Sequence, residues 1–226
     1  MARPGDPSAK SRLLKAAEAV FIERGLDRAK VDDIAQAAGL SKGSFYLHFK
    51  SKDEAFKEIL GGVLGVLGEN LGQIEASREE WAGRTFEQLV EYWFEQDLKI
   101  FEYIWERRAL MRLVLEGGGS PDYQHLMNLF AQRAEDTVAG FIRYGMERGY
   151  YRSDIDPVHA ATFVAGGYDR VARRLVREPV RPDIRLWIAE AQSLCLRGLG
   201  TQAFVTSATN FYMKVLSDAL GRKSTA

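Results

Sequence analysis

The sequence predicts an all-α protein, and two observations carry this prediction. Apolar residues recur three or four positions apart over long segments, as they do on one face of a helix. No segment shows a convincing alternation of apolar and polar residues, which a half-buried strand requires. The chain has 226 residues with 46% hydrophobic content, enough for a small module followed by a larger domain with its own core.

Cap residues at the ends of the apolar segments give the bounds of the predicted helices. Gly25 and Gly39 follow the first two segments as helix ends, whereas Ser41, Asp156 and Asp183 precede later segments as N-caps. Residues 1–7 hold two prolines and a glycine, so we expect a flexible arm there. Helices are expected from residue 8 or 11 to 24, then over 31–38, 42–49, 53–76, 85–103, from there to 116, and over 121–148, 157–177, 184–199 and 204–220.

The fourth predicted helix carries a face of glycines. They stand at positions 61, 65, 68 and 72, and each costs up to about 1 kcal/mol relative to alanine in a helix interior. Two interpretations stay open. The glycines allow close packing against a neighbouring helix, or they form a soft lever that shifts when a ligand binds behind it.

Charge gives no chain-wide signal for nucleic acid, because 31 lysines and arginines balance 31 aspartates and glutamates. The balance of charges differs within one short segment. Residues 41–52 contain Lys42, Lys50 and Lys52 and no acid, while Asp53 and Glu54 follow directly. A small basic patch therefore lies on the third predicted helix and just after it.

The second and third helices have the spacing of a helix-turn-helix over residues 31–52. This motif needs a small residue where the helices cross, a turn residue that tolerates positive φ, and buried apolar anchors on both sides. Ala35 and Gly39 meet the first two needs. The anchors are Ile34, Leu40, Phe45 and Phe49.

If Phe45 and Phe49 point inward, the opposite face of the third helix is free to contact DNA. Leu47 suits a thymine methyl group in the major groove, and Gly43 lets the backbone come close to the bases. Lys42 suits either a guanine edge or a phosphate. The other candidate DNA-binding residues are predicted phosphate contacts: Lys30, Ser41, Ser44, Tyr46, His48, Lys50 and Lys52. The alternative is that Tyr46 and His48 pack against the first helix and that the lysines are merely solvated.

The same residues resemble the signature of the tetracycline-repressor (TetR) family over residues 8–60. One departure is Val31, which stands where many members have threonine and so removes one phosphate contact. The terminal helix also extends beyond the common end point. The matching positions are Ile34, Ala35, Ala38, Gly39, Ser41, Lys42, Gly43, Tyr46, His48, Phe49, Ser51 and Lys52.

The resemblance implies a ligand-responsive transcriptional repressor that binds a double-stranded DNA operator as a homodimer. Nothing in the residues themselves fixes repression rather than activation. We expect a three-helix DNA-binding domain at residues 1–52 and a helical ligand-binding and dimerisation domain at residues 53–226. Two helices within residues 154–199 resemble those that form the family's dimers, and a two-fold dimer implies a near-palindromic operator.

An aromatic-rich stretch at residues 92–105 predicts the effector site. Aromatic walls with a few polar groups suit a small apolar or aromatic organic effector. The alternative is ordinary core packing. The candidate ligand-binding residues are Trp93, Phe94, Phe101, Trp105, Met111, Tyr123, Phe163 and Tyr168, and the candidate dimer-interface residues are Ala160, Val164, Gly167, Trp187, Ala191, Leu194 and Cys195.

Other classes of protein find little support in the sequence. No nucleophile elbow, phosphate loop or zinc-spaced motif is present, so we expect no enzyme, cofactor or metal site. The lone Cys195, the lack of a secretory signal and the lack of a membrane-length apolar run favour a cytoplasmic protein without a membrane span. A helical ligand-binding protein whose helix-turn-helix only supports packing stays open, and it predicts no salt-dependent DNA binding.

Overall fold

A computed structural model describes residues 7–76, 81, 83–116 and 121–223, and these form the predicted all-α fold. Four helices open the chain: α1 (Pro7–Arg24), α2 (Val31–Ala37), α3 (Lys42–Tyr46) and α4 (Lys52–Ala76). Six more follow in the described part: α5 (Phe86–Glu106), α6 (Arg108–Glu116), α7 (Pro121–Glu147), α8 (Pro157–Leu175), α9 (Ile184–Leu199) and α10 (Gln202–Lys223).

Local capping explains where these helices begin and end. Asp156 accepts hydrogen bonds from the backbone N–H groups of Val158 and His159 at 2.8 and 2.9 Å, and Asp183 accepts one from Leu186 at 3.0 Å. Gly25 and Gly39 adopt φ of 77° and 65°, the left-handed conformation that ends a helix. These predicted caps are confirmed.

Several helices differ from their predicted bounds: α5 ends at Glu106 rather than near residue 103, α6 begins only at Arg108, and α8 ends at Leu175 rather than at residue 177. α3 ends at Tyr46 rather than near Phe49, and α10 spans Gln202–Lys223 rather than residues 204–220. The predicted break at residues 117–120 and the arm at residues 1–6 lie outside the described residues. In the described part, β structure is confined to one isolated bridge between Tyr151 and Gly200.

The chain forms two compact units. The first comprises the described residues of Met1–Val66 with Arg107–Met127, and the second those of Leu67–Glu106 with Asn128–Ala226. The predicted boundary after residue 52 does not coincide with this division, because the first half of α4 packs on the preceding helices. The ring centroids of Phe21 on α1 and Phe56 on α4 lie 5.6 Å apart.

Each unit has its own apolar core. In the first unit, fully buried residues of α1, α2 and α3 meet, and in the second α5 packs against α9 and α10. No helix of the described residues combines the length and apolar character needed to cross a membrane. The largest fully buried side chains include Leu13, Phe21, Ile34 and Phe45 in the first unit and Trp81, Leu89, Phe94 and Phe204 in the second.

Candidate functional site

The turn between α2 and α3 is held by backbone hydrogen bonds and a side-chain cap. The N–H of Leu40 donates to the carbonyl of Ala35 at 2.9 Å across the positive-φ residue Gly39. Ser41 then caps α3, since its Oγ accepts the N–H of Ser44 at 3.1 Å. The two helices are thereby joined in a tight, fixed turn.

One face of α3 anchors the motif in the core. Phe45 is 0% exposed and Phe49, just beyond the helix, is 2% exposed. Their ring centroids lie 5.4 Å apart. Ile34 and Ala35 on α2 are also buried, whereas Leu40 is half-buried. The predicted anchors Phe45, Phe49 and Ile34 therefore occupy the core of the first unit.

The opposite face of α3 lies open to solvent. Leu47 is 73% exposed and Tyr46 is 52% exposed. Gly43 is exposed beside them, and Ser44 is half-exposed with its Oγ 3.0 Å from the Oγ of Ser41. A large apolar side chain, that of the C-cap residue Leu47, thus projects into solvent directly after a short helix with small and polar residues.

Lys42 stands at the start of α3 and pairs with an acid of α2. Its Nζ lies 3.0 Å from Oδ2 of Asp32, and both side chains are exposed. The hydrogen bond and the charge of Asp32 raise the pKa of Lys42, so it stays cationic. An exposed pair of this kind contributes little to stability, so a phosphate can displace Asp32 at small cost.

Lys52 has a different environment from the other lysines of the motif. Its Nζ donates to three backbone carbonyls of the loop before α2, those of Leu26 at 2.7 Å, Asp27 at 2.9 Å and Ala29 at 3.0 Å. An ammonium group has three N–H donors. Because all three are used, the geometry favours a structural role for Lys52 over the predicted phosphate contact.

The remaining candidates of the first unit surround α3. Lys30 and Lys50 are exposed, and His48 is half-buried. The ring centroid of His48 lies 6.4 Å from that of Phe49. The side chains of Lys30 and Lys50 are therefore accessible from solvent, as a phosphate contact requires.

The predicted effector residues do not form one group. Met111 and Tyr123 belong to the first unit, where the ring of Tyr123 stacks on Phe56 at 5.8 Å. Phe163 is 81% exposed on α8, so within one chain it lines no interior site, which corrects its predicted role. Phe94 is fully buried and packs on Phe211 at 5.4 Å, as an ordinary core residue does.

Trp93 and Phe101 do share one stripe of α5, at positions eight residues apart. The ring centroid of Trp93 lies 4.3 Å from that of Phe141 on α7. Phe101 lies 5.8 Å from the ring of Tyr168 on α8. Trp105 continues the stripe one turn further and is 8% exposed.

Asp97 lies between Trp93 and Phe101 on this stripe, and sequence reasoning missed it. Its Oδ2 accepts hydrogen bonds from the Oη of Tyr168 and the Nε2 of Gln192, both at 2.6 Å. Burial raises the pKa of Asp97 to about 6, against the effect of these two bonds. The available signal was an acid four residues after Trp93, on the apolar face of a helix.

Three polar groups in the neighbouring aromatic cluster are buried without a hydrogen-bond partner in the described residues: the Nε1 atoms of Trp81 and Trp93 and the Oη of Tyr144. The Trp81 ring lies 6.1 Å from Trp93 and 5.4 Å from Tyr144. Buried donors are rarely left unsatisfied in proteins. This cluster and the α5 stripe share Trp93.

The predicted dimer residues lie on α8 and α9. Ala160 is 7% exposed and packs inside the chain, which corrects its predicted place at an interface. Gly167 is exposed on α8, and Leu194 is 73% exposed on α9. The other predicted residues, Val164, Trp187, Ala191 and Cys195, are half-buried.

Comparison with known proteins gives the family. Residues 13–59 match the model of "Bacterial regulatory proteins, tetR family". The transcriptional repressor KstR2 of Rhodococcus jostii is 33% identical over 161 residues, which are 71% of this chain and 76% of that protein. The HTH-type transcriptional regulator YdgC of Bacillus subtilis is 46% identical over 197 residues, which are 84% of this chain and 92% of that protein.

Solved structures share the fold at lower identity. A complex of SmeT with triclosan has a TM-score of 0.71 and 22% identity, and the match covers 87% of this chain and 94% of that one. The fatty acid degradation regulator FadR of Bacillus halodurans has a TM-score of 0.66 and 20% identity, with 87% and 98% covered. With the helix-turn-helix geometry, the relatives show that the chain is a DNA-binding transcriptional repressor and not an enzyme, and that it belongs to the TetR family.

Proposed function

We propose that the protein is a homodimeric repressor that binds a near-palindromic operator through α3 of each subunit and leaves it when an organic effector binds in the second unit. The observation that carries the DNA-binding part is the outward side chain of Leu47. It is 73% exposed, beyond two buried phenylalanines that fix the orientation of α3. Contact with a thymine methyl group accounts for an apolar side chain in this position.

The polar groups around Leu47 support a division of roles. Lys42 at the start of α3 is assigned to a guanine edge or a phosphate, and Gly43 to close approach of the backbone. The groups assigned to the phosphate backbone on either side of the groove are Lys30, Ser41, Ser44, Tyr46, His48 and Lys50. A protein that regulates transcription acts where the DNA is, so we assign it to the cytoplasm.

The dimer interface is assigned to the outer faces of α8 and α9. Phe163 and Leu194 are 81% and 73% exposed there, and large apolar groups exposed on neighbouring helices are typical of interfaces. Gly166 and Gly167 are exposed beside Phe163 and allow a second chain to come close. Two helices from each subunit would then form a two-fold interface.

The effector site is assigned to the α5 stripe of Trp93, Asp97 and Phe101 together with Tyr168. Aromatic walls around one acidic group are typical of sites that hold and orient an organic molecule. SmeT, which shares the fold, is described as a complex with triclosan, and this supports an organic effector rather than a metal ion. In the described residues, no group of three His, Cys, Asp or Glu side chains is arranged to hold a metal.

A gel shift with DNA from upstream of the protein's own gene tests the assignment at α3. Leu47→Ala is expected to change the preference among operator variants, by about 1 kcal/mol or more at one thymine position. Lys50→Ala is expected to weaken binding to all sequences alike, because it removes a phosphate contact. Lys214→Ala, at an exposed lysine of α10, serves as the control and should leave binding unchanged.

Two outcomes contradict the assignment. If Leu47→Ala and Lys50→Ala weaken every site equally, Leu47 does not contact bases. If the wild-type protein binds no DNA in a salt-dependent manner, the helix-turn-helix only supports packing.

A further inference from the structure

Asp97 is held in one position by a network from four helices. Tyr168 of α8 and Gln192 of α9 both donate to its Oδ2. Gln192 is buried, and its Oε1 accepts a hydrogen bond from Tyr212 of α10 at 3.0 Å. Both bonds end on Oδ2, so no described hydrogen bond occupies the other carboxylate oxygen, Oδ1.

Within the described residues, the charge of Asp97 has no paired cation. No lysine or arginine of the described residues forms an ion pair with it, and no cation contributes to its pKa. Arg185, whose guanidinium lies over the ring of Phe94, pairs instead with Glu95 at 3.4 Å. A half-buried carboxylate without a paired cation is costly, so an incoming cationic group would be attracted to it.

The surroundings of Asp97 favour one kind of compensating group. Trp93 and Phe101 stand one helical turn before and after it, and the ring of Tyr168 lies 5.8 Å from Phe101. Aromatic faces attract organic cations, and a partly desolvated carboxylate attracts them further. An anionic ligand would instead meet the like charge of Asp97.

We propose that Asp97 is the specificity-determining residue of the effector site and binds an effector that joins a protonated amine to an aromatic or apolar body. The amine donates an N–H to Oδ1 of Asp97, and the body of the molecule lies along Trp93 and Phe101. This inference rests on the effector site proposed above.

Three naphthalene probes that differ in charge test the proposal: naphthylethylamine, naphthylethanol and naphthylacetate. Calorimetric titration of the full chain at about pH 7.5, where the amine is protonated and Asp97 is mostly ionised, measures each affinity. We expect the amine to bind at least about tenfold more tightly than the alcohol, and the acetate to bind most weakly. Asp97→Asn is expected to bring the amine and the alcohol to within about twofold of each other.

Glu95→Gln is the matched control, because it removes an acid from the same helix that already pairs with Arg185. It should keep the preference for the amine. Circular dichroism melting verifies that both variants fold. If Asp97→Asn does not fold, the comparison of the three probes on the wild-type protein still tests the proposal.

Equal binding of amine and alcohol by the wild-type protein would overturn the proposal while leaving the effector site in place. A preference that persists in Asp97→Asn would also overturn it. If none of the three probes binds to a protein that still binds its operator, the effector site itself is misplaced, and the proposed residue role fails with it.

Discussion

Lys52 shows how a residue with an obvious sequence interpretation can have another role. A lysine next to a helix-turn-helix suggests a phosphate contact, yet its ammonium closes the loop before α2 through three carbonyls. Asp97 is the converse case, an acid on an apolar helix face whose partners lie 71 and 95 residues away. Caps at Ser41, Asp156 and Asp183 could be predicted because they bind within three residues, whereas these long-range partners could not.

Lys52→Ala is expected to destabilise the protein rather than act on DNA alone. Three carbonyls of the loop lose a charged donor, and hydrogen bonds to charged groups contribute about 1.5–3 kcal/mol each at most. We expect a loss of about 2 kcal/mol in the free energy of unfolding, measured by urea denaturation. Lys50→Ala, at the neighbouring exposed lysine, should change it by less than about 0.5 kcal/mol. If the two variants are equally stable, Lys52 has no structural role of this kind, and the predicted phosphate contact is favoured again.

At the scale of elements, the helices followed from periodicity and caps, because both signals are local. The end of α3 did not, since the apolar residue Phe49 continues the helical spacing although the helix ends at Tyr46. The glycine face of α4 could be noticed but not interpreted. A Cβ at Gly68 or Gly72 would lie 3.5 or 3.7 Å from the guanidinium of Arg133, whereas one at Gly61 or Gly65 would meet nothing within 4 Å.

Within one chain, close packing therefore explains Gly68 and Gly72 but not Gly61 and Gly65. The hypothesis of a soft lever stays a prediction. One of the points where the chain passes between the two compact units lies between Val66 and Leu67, within this glycine-rich part of α4. A segment of low helix propensity thus joins them.

Two glycine substitutions with opposite expected results test this account of the helices. At Gly145 of α7 a Cβ would lie 2.3 Å from the ring of the buried Tyr151, so Gly145→Ala is expected to cost about 1–3 kcal/mol. At Gly61 of α4 the added methyl group meets no atom, so Gly61→Ala is expected to stabilise by up to about 1 kcal/mol. Thermal melts of both variants show whether each substitution raises or lowers the stability of the protein. A neutral or stabilising Gly145→Ala would show that Tyr151 can move aside.

For the whole molecule, the sequence predicted the class of protein and the helix-turn-helix, whereas the effector and dimer sites stay predictions of which the structure contradicts some residues. Phe101 packs on Tyr168 and lies on the same stripe of α5 as Trp93, while Phe163 lies on the surface and Ala160 inside. Helical spacing identifies the residues on one face of a helix. It does not say which neighbour covers that face, because the neighbours come from distant parts of the chain.

A dimer that binds DNA would account for two of the exposed apolar side chains, Leu47 and Phe163. The two recognition helices of a dimer must be spaced by one turn of DNA, about 34 Å, or a multiple of it. An isolated subunit contacts only one half of the operator. Dimerisation and operator binding should therefore be lost together when the face of α8 is disrupted.

The most direct measurement is a fluorescence anisotropy titration of the operator with the wild-type protein and with Phe163→Glu, at two salt concentrations. We expect two wild-type chains per duplex and an affinity that falls steeply with salt. Phe163→Glu should sediment as a monomer and bind at least about a hundredfold more weakly, whereas Met213→Glu, at an exposed methionine of α10, should behave like the wild type. Salt-independent or absent binding by the wild type, or unchanged binding by Phe163→Glu, would contradict a dimeric repressor that contacts DNA through α3.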